Sequence, residues 1–416
     1  MPAFSPSRRR DLLLALALAT AAAAFRLPRL GFPNEEVFDE VYHARTALQY
    51  LRGEAPTEWV HPPTAKLLIA VGVWRFGYHP WAWRLLPALA GIALAPVFFL
   101  LARRVLATER AALLASVLLL ADGVYLVQSR TAMTNIFAVL FQVCAALLVL
   151  EAALRDRLHA GWMVAAGLSL GMAVSTRWTS LWAAAFLGVV LLVIRGRRLF
   201  AARELGLTVL AFAFLPVCVY VLSYVPWMRQ GHRLGELWPL QRAIWRYHAG
   251  LRATHPYFSN WYTWPWLYRP TWYFFKQDTC FVRGIVAIGN PALWWVSVPV
   301  SLWALVAGIR RRDPRLLFAG AGFFALYLPW GISPRTLNYN HYLFEAIPYA
   351  CLTVGMILDR LWDGRLRSVA RGYVVLVLLM FFFFLPFLVA LPVPADWYNH
   401  AFSNGVRPWT WFPTWV

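Results

Sequence analysis

The chain has 416 residues, of which 60% are hydrophobic and only 14% charged, with a mean hydropathy of +0.54. One soluble core cannot hide that much apolar surface, which excludes a soluble globular protein. The net charge of +20 would suit nucleic acid if it formed a face, but the basic residues fall between apolar runs and read as topology signals, so no nucleic-acid partner is expected.

Apolar runs of about 17 to 22 residues fit the length a helix needs to cross the hydrocarbon and are too long for barrel strands. They predict an all-α, polytopic protein with spans near 11–28, 81–102, 110–127, 132–152, 160–175, 178–194, 206–225, 292–309, 316–331, 341–358 and 372–391. Arginine clusters at Arg8 to Arg10, Arg103/Arg104/Arg110, Arg155/Arg157, Arg195 to Arg203, Arg310 to Arg312 and Arg360 to Arg371 recur at every second loop. By the positive-inside rule the N-terminus is cytoplasmic, and the loops 29–80 and 225–291 and the tail 392–416 lie outside a plasma membrane. A single transmembrane domain, 1–391, is followed by that tail. The first run also resembles a secretory signal, with small residues after three arginines. Cys144, Cys218, Cys280 and Cys351 offer neither a disulfide framework nor a thiolate metal site.

The first external loop carries Phe38-Asp39-Glu40-Val41-Tyr42-His43, then Val60-His61-Pro62-Pro63-Thr64-Ala65-Lys66-Leu67. Val41, Ala44, Leu48 and Leu51 recur at helical spacing, so a short surface helix is expected with Asp39 and Glu40 in its first turn. Capping and the helix dipole account for acids at such a place, most simply for Glu35 and Glu36. The Pro62-Pro63 pair makes His61 extended, and a loop hydrogen bond competes with a ligand or base role for it. Arg84, Arg130 and Arg177 sit at external span ends against the positive-inside trend, and Arg335 and His341 lie before the tenth span. Arginine near a bilayer is costly, so these positions invite either a functional or a snorkelling explanation.

The first-loop motifs resemble those of protein O-mannosyltransferases, the dolichyl-phosphate-mannose-protein mannosyltransferase family. Trp83-Arg84-Leu85-Leu86-Pro87-Ala88, Asp122-Gly123, Gln128-Ser129-Arg130, Gly171 to Thr179, His255-Pro256-Tyr257, Arg269 to Tyr273, Gly289 to Trp295 and Asn340-His341-Tyr342 follow in the same order. The resemblance covers about residues 34–345 and implies a GT-C glycosyltransferase with about eleven spans and a catalytic first external loop. It implies transfer, with inversion, of one sugar, mannose, from a polyprenyl-phosphate carrier to Ser or Thr of exported proteins. No cofactor or metal is implied.

Asp39 matches the family's catalytic aspartate. Glu40 points about 100 degrees away on a helix and fits acceptor-site shaping better than a second base. Arg84 matches the arginine proposed to hold the donor phosphate, with Arg130, Arg177 and Arg335 as further candidates. His43, His61, Asn135, His255, Tyr257 and His341 are candidate substrate contacts. Asn135 stands where the family commonly has an acid, which would remove one polar contact. The acids and histidines of the first loop, Asp39, Glu40, His43 and His61, are an alternative divalent-ion site. The short 225–291 loop has no room for the insert of eukaryotic members, which suggests a minimal bacterial form. Transfer to a lipid or cell-wall glycan is the alternative within the class, and a lipid-linked-sugar flippase the alternative outside it.

Overall fold

The computed structural model describes residues 8–402 and 405–415. The N-terminal residues before Arg8, on which the cytoplasmic assignment of that end bears, lie outside the described residues. Helix α1 (Arg8–Arg26) is followed by α2 (Glu40–Arg52) and α3 (Thr64–Phe76) of the first loop, then by the long α4 (Pro80–Val105). Beyond it come α5 (Glu109–Leu120), α6 (Gly123–Arg130), α7 (Asn135–Ala153), α8 (Ala160–Val174) and α9 (Ser180–Arg195). Next, α10 (Ala202–Val209) and α11 (Leu215–Ser223) run on through a π-turn, and α12 (Val225–Arg229) and α13 (Leu237–Gly250) occupy the second long loop. The closing helices are α14 (Pro291–Arg311), α15 (Pro314–Tyr327), α16 (Ile347–Leu361), α17 (Arg367–Leu388) and the short α18 (Ala395–Asn399).

Every apolar run falls on a helix, and the chain is a multi-pass membrane protein. Among the described residues six helices are long and apolar enough to cross a membrane alone: Pro80–Val105, Asn135–Ala153, Ser180–Phe200, Ala202–Ser223, Pro291–Arg311 and Arg367–Leu388. The run near 110–127 is instead a pair, α5 and α6, bent by 60°. Asp122 sits at the break. Its Oδ1 caps α6 by accepting from Tyr125 N at 2.9 Å, and its Oδ2 accepts from Trp294 Nε1 at 2.6 Å and Asn290 N at 3.2 Å. The Trp294 ring lies so close to Gly289 that a Cβ there would fall 1.9 Å from it, so only glycine fits. The Asp122-Gly123 and Gly289-to-Trp294 motifs therefore join one another and explain each other structurally.

The expectation of an all-α chain is corrected by a small antiparallel sheet: β1 (Thr271–Gln277), β2 (Phe281–Ala287) and β3 (Val393–Pro394), in the order β1-β2-β3. The run Thr271-Trp272-Tyr273-Phe274-Phe275 is β-branched and aromatic, hence suited to a pleated half-buried surface. The Asp278 carboxylate closes the hairpin by accepting from Cys280 N and Phe281 N. The register shifts between Trp272 and Phe274, a bulge that frees Tyr273 to point elsewhere.

α1 packs on α4, α4 on α7, α7 on α8, and the first-loop pair docks as α2 on α3 and α3 on α4. A cross-link fixes where α3 begins: Thr64 Oγ1 donates to Ser175 Oγ at 2.7 Å and Thr64 N to Ser175 O at 3.1 Å, at the end of α8. The tail folds back on the sheet and α17. Trp415 Nε1 donates to Leu267 O at 2.6 Å, Trp272 Nε1 to Trp415 O at 2.7 Å and Trp409 Nε1 to Phe383 O at 2.8 Å.

Candidate active site

Asp39 stands at the N-cap of α2, as the spacing predicts, but it does not cap the helix. Its half-buried carboxylate takes no hydrogen bond from any described residue. Phe38 before it has φ of 49°, an unusual conformation for a bulky residue that turns the chain sharply into the helix. The Phe38 ring stacks on Tyr273 at 4.3 Å and meets Tyr339, His341 and His255 edge-on. Tyr273 accepts from Gln128 Nε2 at 2.6 Å. One wall around Asp39 is thus aromatic.

Burial holds the Asp39 carboxyl above its ordinary pKa; His43, Arg335 and Arg177 pull it down and Glu58 pushes it up. A carboxylate that is raised, unpaired and beside two arginines is equipped to accept a proton.

Glu40 plays a different part. It is fully buried and grips Arg84 bidentately, Nε to Oε1 at 2.8 Å and Nη2 to Oε2 at 2.7 Å, while accepting from Val37 N and Ala132 N. The remaining Arg84 donors go to the carbonyls of Leu30, Pro33 and Glu35. All five N–H groups are spent. Every Arg84 donor is thus turned toward the first loop, with Glu40 as its counter-charge, and none points to a free site where a donor phosphate would sit.

Arg130 is engaged with backbone in the same way. Its Nη1 donates to the carbonyls of Phe25, Arg26 and Pro28, and its Nη2 to Arg29 O, so it closes the C-terminal end of α1. Helix ends leave carbonyls without partners, and a guanidinium satisfies several at once.

Arg177 and Arg335 remain available. Arg177 donates through Nη1 to Asn135 Oδ1 at 2.8 Å and Thr134 Oγ1 at 3.3 Å, with Glu345 3.6 Å from its Nε. Asn135 therefore contacts Arg177 directly. Arg335 donates Nε to Leu337 O at 2.8 Å and lies 3.1 Å from His248 Nδ1, with no carboxylate partner among the described residues. In both, Nη2 donates to no described group, and both guanidinium groups lie over the Tyr342 ring. They line a cavity of about 360 Å³ whose other walls include His61, His248, Trp178 and Trp245.

The other candidates sort into two groups. His255, whose Nδ1 accepts from Tyr257 N, and His341 stand with Tyr257 around the aromatic wall. Asn340 ties this wall to the sheet, accepting from Thr271 Oγ1 and donating to Ala287 O. On the opposite side, His43 Nδ1 lies 2.9 Å from Ala132 O, and His43, Glu58 and His61 bring ligand atoms within 4.8 Å of one another. Asp39 and Glu40 do not join that cluster. The Glu58 carboxylate is already engaged by the Lys66 ammonium and by His61 Nδ1 at 2.8 Å, which makes it a poor fit to a divalent ion. Burial works against its charge, but Lys66 and His61 outweigh it and hold its pKa well below the usual range.

Glu58, Lys66, His248 and Tyr273 are the site residues that the sequence reading misses. Lys66 and Tyr273 left a signal, standing in the motifs that carry the resemblance, and Lys66 is also one of only two lysines among 39 basic residues.

The description "Dolichyl-phosphate-mannose-protein mannosyltransferase" matches residues 16–83 and 79–230, and "C-terminal four TMM region of protein-O-mannosyltransferase" matches residues 233–415. A polyprenol-phosphate-mannose–protein mannosyltransferase of Mycolicibacterium smegmatis is 30% identical over 100% of this chain and 95% of its own length. One from Mycobacterium tuberculosis is 29% identical over 96% and 90%. Among solved structures, the Saccharomyces cerevisiae Pmt1-Pmt2 complex bound to the sugar donor superposes with TM-score 0.83 at 13% identity, covering 98% of this chain and 93% of that one. ArnT of Cupriavidus metallidurans bound to undecaprenyl phosphate superposes with TM-score 0.57 at 19% identity, covering 90% and 70%. The fold is that of GT-C membrane glycosyltransferases, and with two family descriptions spanning nearly its whole length the chain belongs to the dolichyl-phosphate-mannose-protein mannosyltransferase family.

Proposed function

We propose that the chain transfers a single mannose, with inversion, from a polyprenyl-phosphate carrier to Ser or Thr hydroxyls of exported proteins. The observation that carries this reading is the Asp39 carboxylate, which takes no hydrogen bond from any described residue, follows Phe38 of the aromatic wall and feels the charges of Arg335 and Arg177, the two arginines that line the cavity. Asp39 takes the proton of the acceptor hydroxyl as its oxygen bonds to the sugar C1 on the face opposite the phosphate. The C1–O bond breaks, and its electron pair leaves with the phosphate. A phosphodiester thereby becomes a monoester and gains negative charge, which two guanidinium groups in a cavity of mainly apolar lining stabilise. The tryptophans beside them suit the first isoprene units of the carrier, and Phe38, Tyr273 and His341 form an apolar platform for a sugar or peptide.

Positive charge beside the leaving group thus comes from the protein, and no metal or cofactor is required in this scheme. The arginine alternation supports a reading with about eleven spans in the plasma membrane, the N-terminus in the cytoplasm and the catalytic loop and tail outside.

The test is transfer of radiolabelled mannose from polyprenyl-phosphate-mannose to a Ser/Thr-rich peptide by purified wild type and Asp39→Asn, with and without chelator. Label with wild type alone, unaffected by chelator, supports the scheme. Equal label from Asp39→Asn sinks the base assignment, and no label from either points to a lipid or glycan acceptor.

A further inference from the structure

The loop from Glu58 to Pro63 is bent around one ammonium group. Lys66 is fully buried in α3, and its Nζ meets the Glu58 carboxylate, the Glu58 carbonyl at 2.9 Å and the His61 carbonyl at 2.8 Å. An ammonium has three protons, so this tripod uses them all. A flat guanidinium fork would not fit such a cage, which gives a physical reason for lysine in a chain whose other cations, Lys276 apart, are arginines.

The second oxygen of Glu58, Oε1, accepts from His61 N at 3.0 Å and lies 2.8 Å from His61 Nδ1. A carboxylate kept ionised by Lys66 can only accept, so the proton of a neutral imidazole must sit on Nδ1. Nε2 keeps its lone pair. His61 lines the cavity next to Arg177 and Arg335, its side chain is 21% exposed, and no described residue donates to Nε2.

We infer that Lys66 and Glu58 together fix His61 as the Nδ1–H tautomer, so that Nε2 accepts a hydrogen bond from a hydroxyl of the sugar being transferred. The inference rests on reading the cavity as the donor site. Burial lowers the imidazole pKa to about 3 against the pull of Glu58, so His61 is too weak a base for proton transfer near neutrality, and recognition is the task left to it. Lys66 and Glu58 are positioning residues that act through it.

The experiment measures binding of polyprenyl phosphate, polyprenyl-phosphate-mannose and its monodeoxymannose analogues to the full chain in detergent. His61→Leu should bind polyprenyl phosphate like wild type but the mannose donor about tenfold more weakly, the scale of one neutral hydrogen bond. It should also lose wild type's discrimination against one deoxy analogue, and His61→Gln, which restores an acceptor, should recover part of it. Lys66→Met paired with Glu58→Gln removes both charges together, leaves no lone buried charge, and should show the same loss of discrimination. Unaltered discrimination by His61→Leu, or ¹⁵N NMR placing the proton on Nε2, overturns the inference. If Arg335→Ala leaves polyprenyl phosphate binding intact, the donor-site reading falls and takes the sugar contact with it, while the NMR result still decides the tautomer.

Discussion

Arg84→Ala should unfold the first loop rather than weaken the grip on the donor. The substitution leaves Glu40 fully buried with two backbone donors, Val37 N and Ala132 N, and no counter-charge. Breaking a buried pair from one side costs about 3–5 kcal/mol. The carbonyls of Leu30, Pro33 and Glu35 lose their donor as well, at about 1–3 kcal/mol for each that water cannot reach. The sum is comparable with the whole stability of a typical domain, about 5–15 kcal/mol. Arg84→Lys keeps the charge but has three donors for five acceptors and should also destabilise. The assay is the thermal midpoint of detergent-purified protein by fluorescence-detected size exclusion, alongside the donor KM of the folded fraction. A midpoint lowered by several degrees with unchanged KM is expected for both variants. An unchanged midpoint with KM raised tenfold would refute the loop-clamp role and return Arg84 to the phosphate.

Asp39→Asn should fold normally, because its carboxylate has no hydrogen bond to lose, and should abolish transfer; a thermal midpoint far below wild type would show that the acid has a structural task. Because the Asp39 pKa is raised, the base is progressively protonated as pH falls from neutrality, so the acid limb of kcat/KM should lie above the ordinary aspartate value of about 3.9, and a profile flat to about pH 4 would contradict it. Arg335→Ala removes a guanidinium with no carboxylate partner and should weaken polyprenyl phosphate binding by about 10- to 100-fold, the range for a charged hydrogen bond, with little change in thermal midpoint. Trp415 is 2% exposed and holds hydrogen bonds at both ends, so Trp415→Ala should cost about 3–5 kcal/mol, read as a lower midpoint.

Hydropathy placed every long helix, because crossing a membrane writes itself into about 20 consecutive residues. The helix after Asp39 was equally legible from its 3.6-residue period. The arginines show where such reading stops. A sequence says that a cation stands at the end of a span, but Arg84 and Arg177 differ only in what faces them, and the five acceptors around Arg84 all come from residues 30–40, 44 to 54 positions earlier in the chain. Backbone carbonyls carry no residue signature, so the partners of Arg130 leave no trace either. Glu58 was invisible as one scattered acid, and its meaning depends on the turn that brings Lys66 beneath it. The sheet was missed because β1 and β2 lie within a long aromatic-rich loop, where tryptophans that anchor a chain at a membrane interface and aromatics of a strand look alike.

The contact between Arg130 and the end of α1 also orders events during biogenesis. The carbonyls of Phe25, Arg26 and Pro28 acquire the Arg130 guanidinium only after about a hundred further residues have been synthesised. Until then the exit from the first helix lacks that closure, and afterwards Arg130 holds it. Any peptidase competing for that segment works against the ribosome's clock, so slowing translation before codon 130 should lengthen its window.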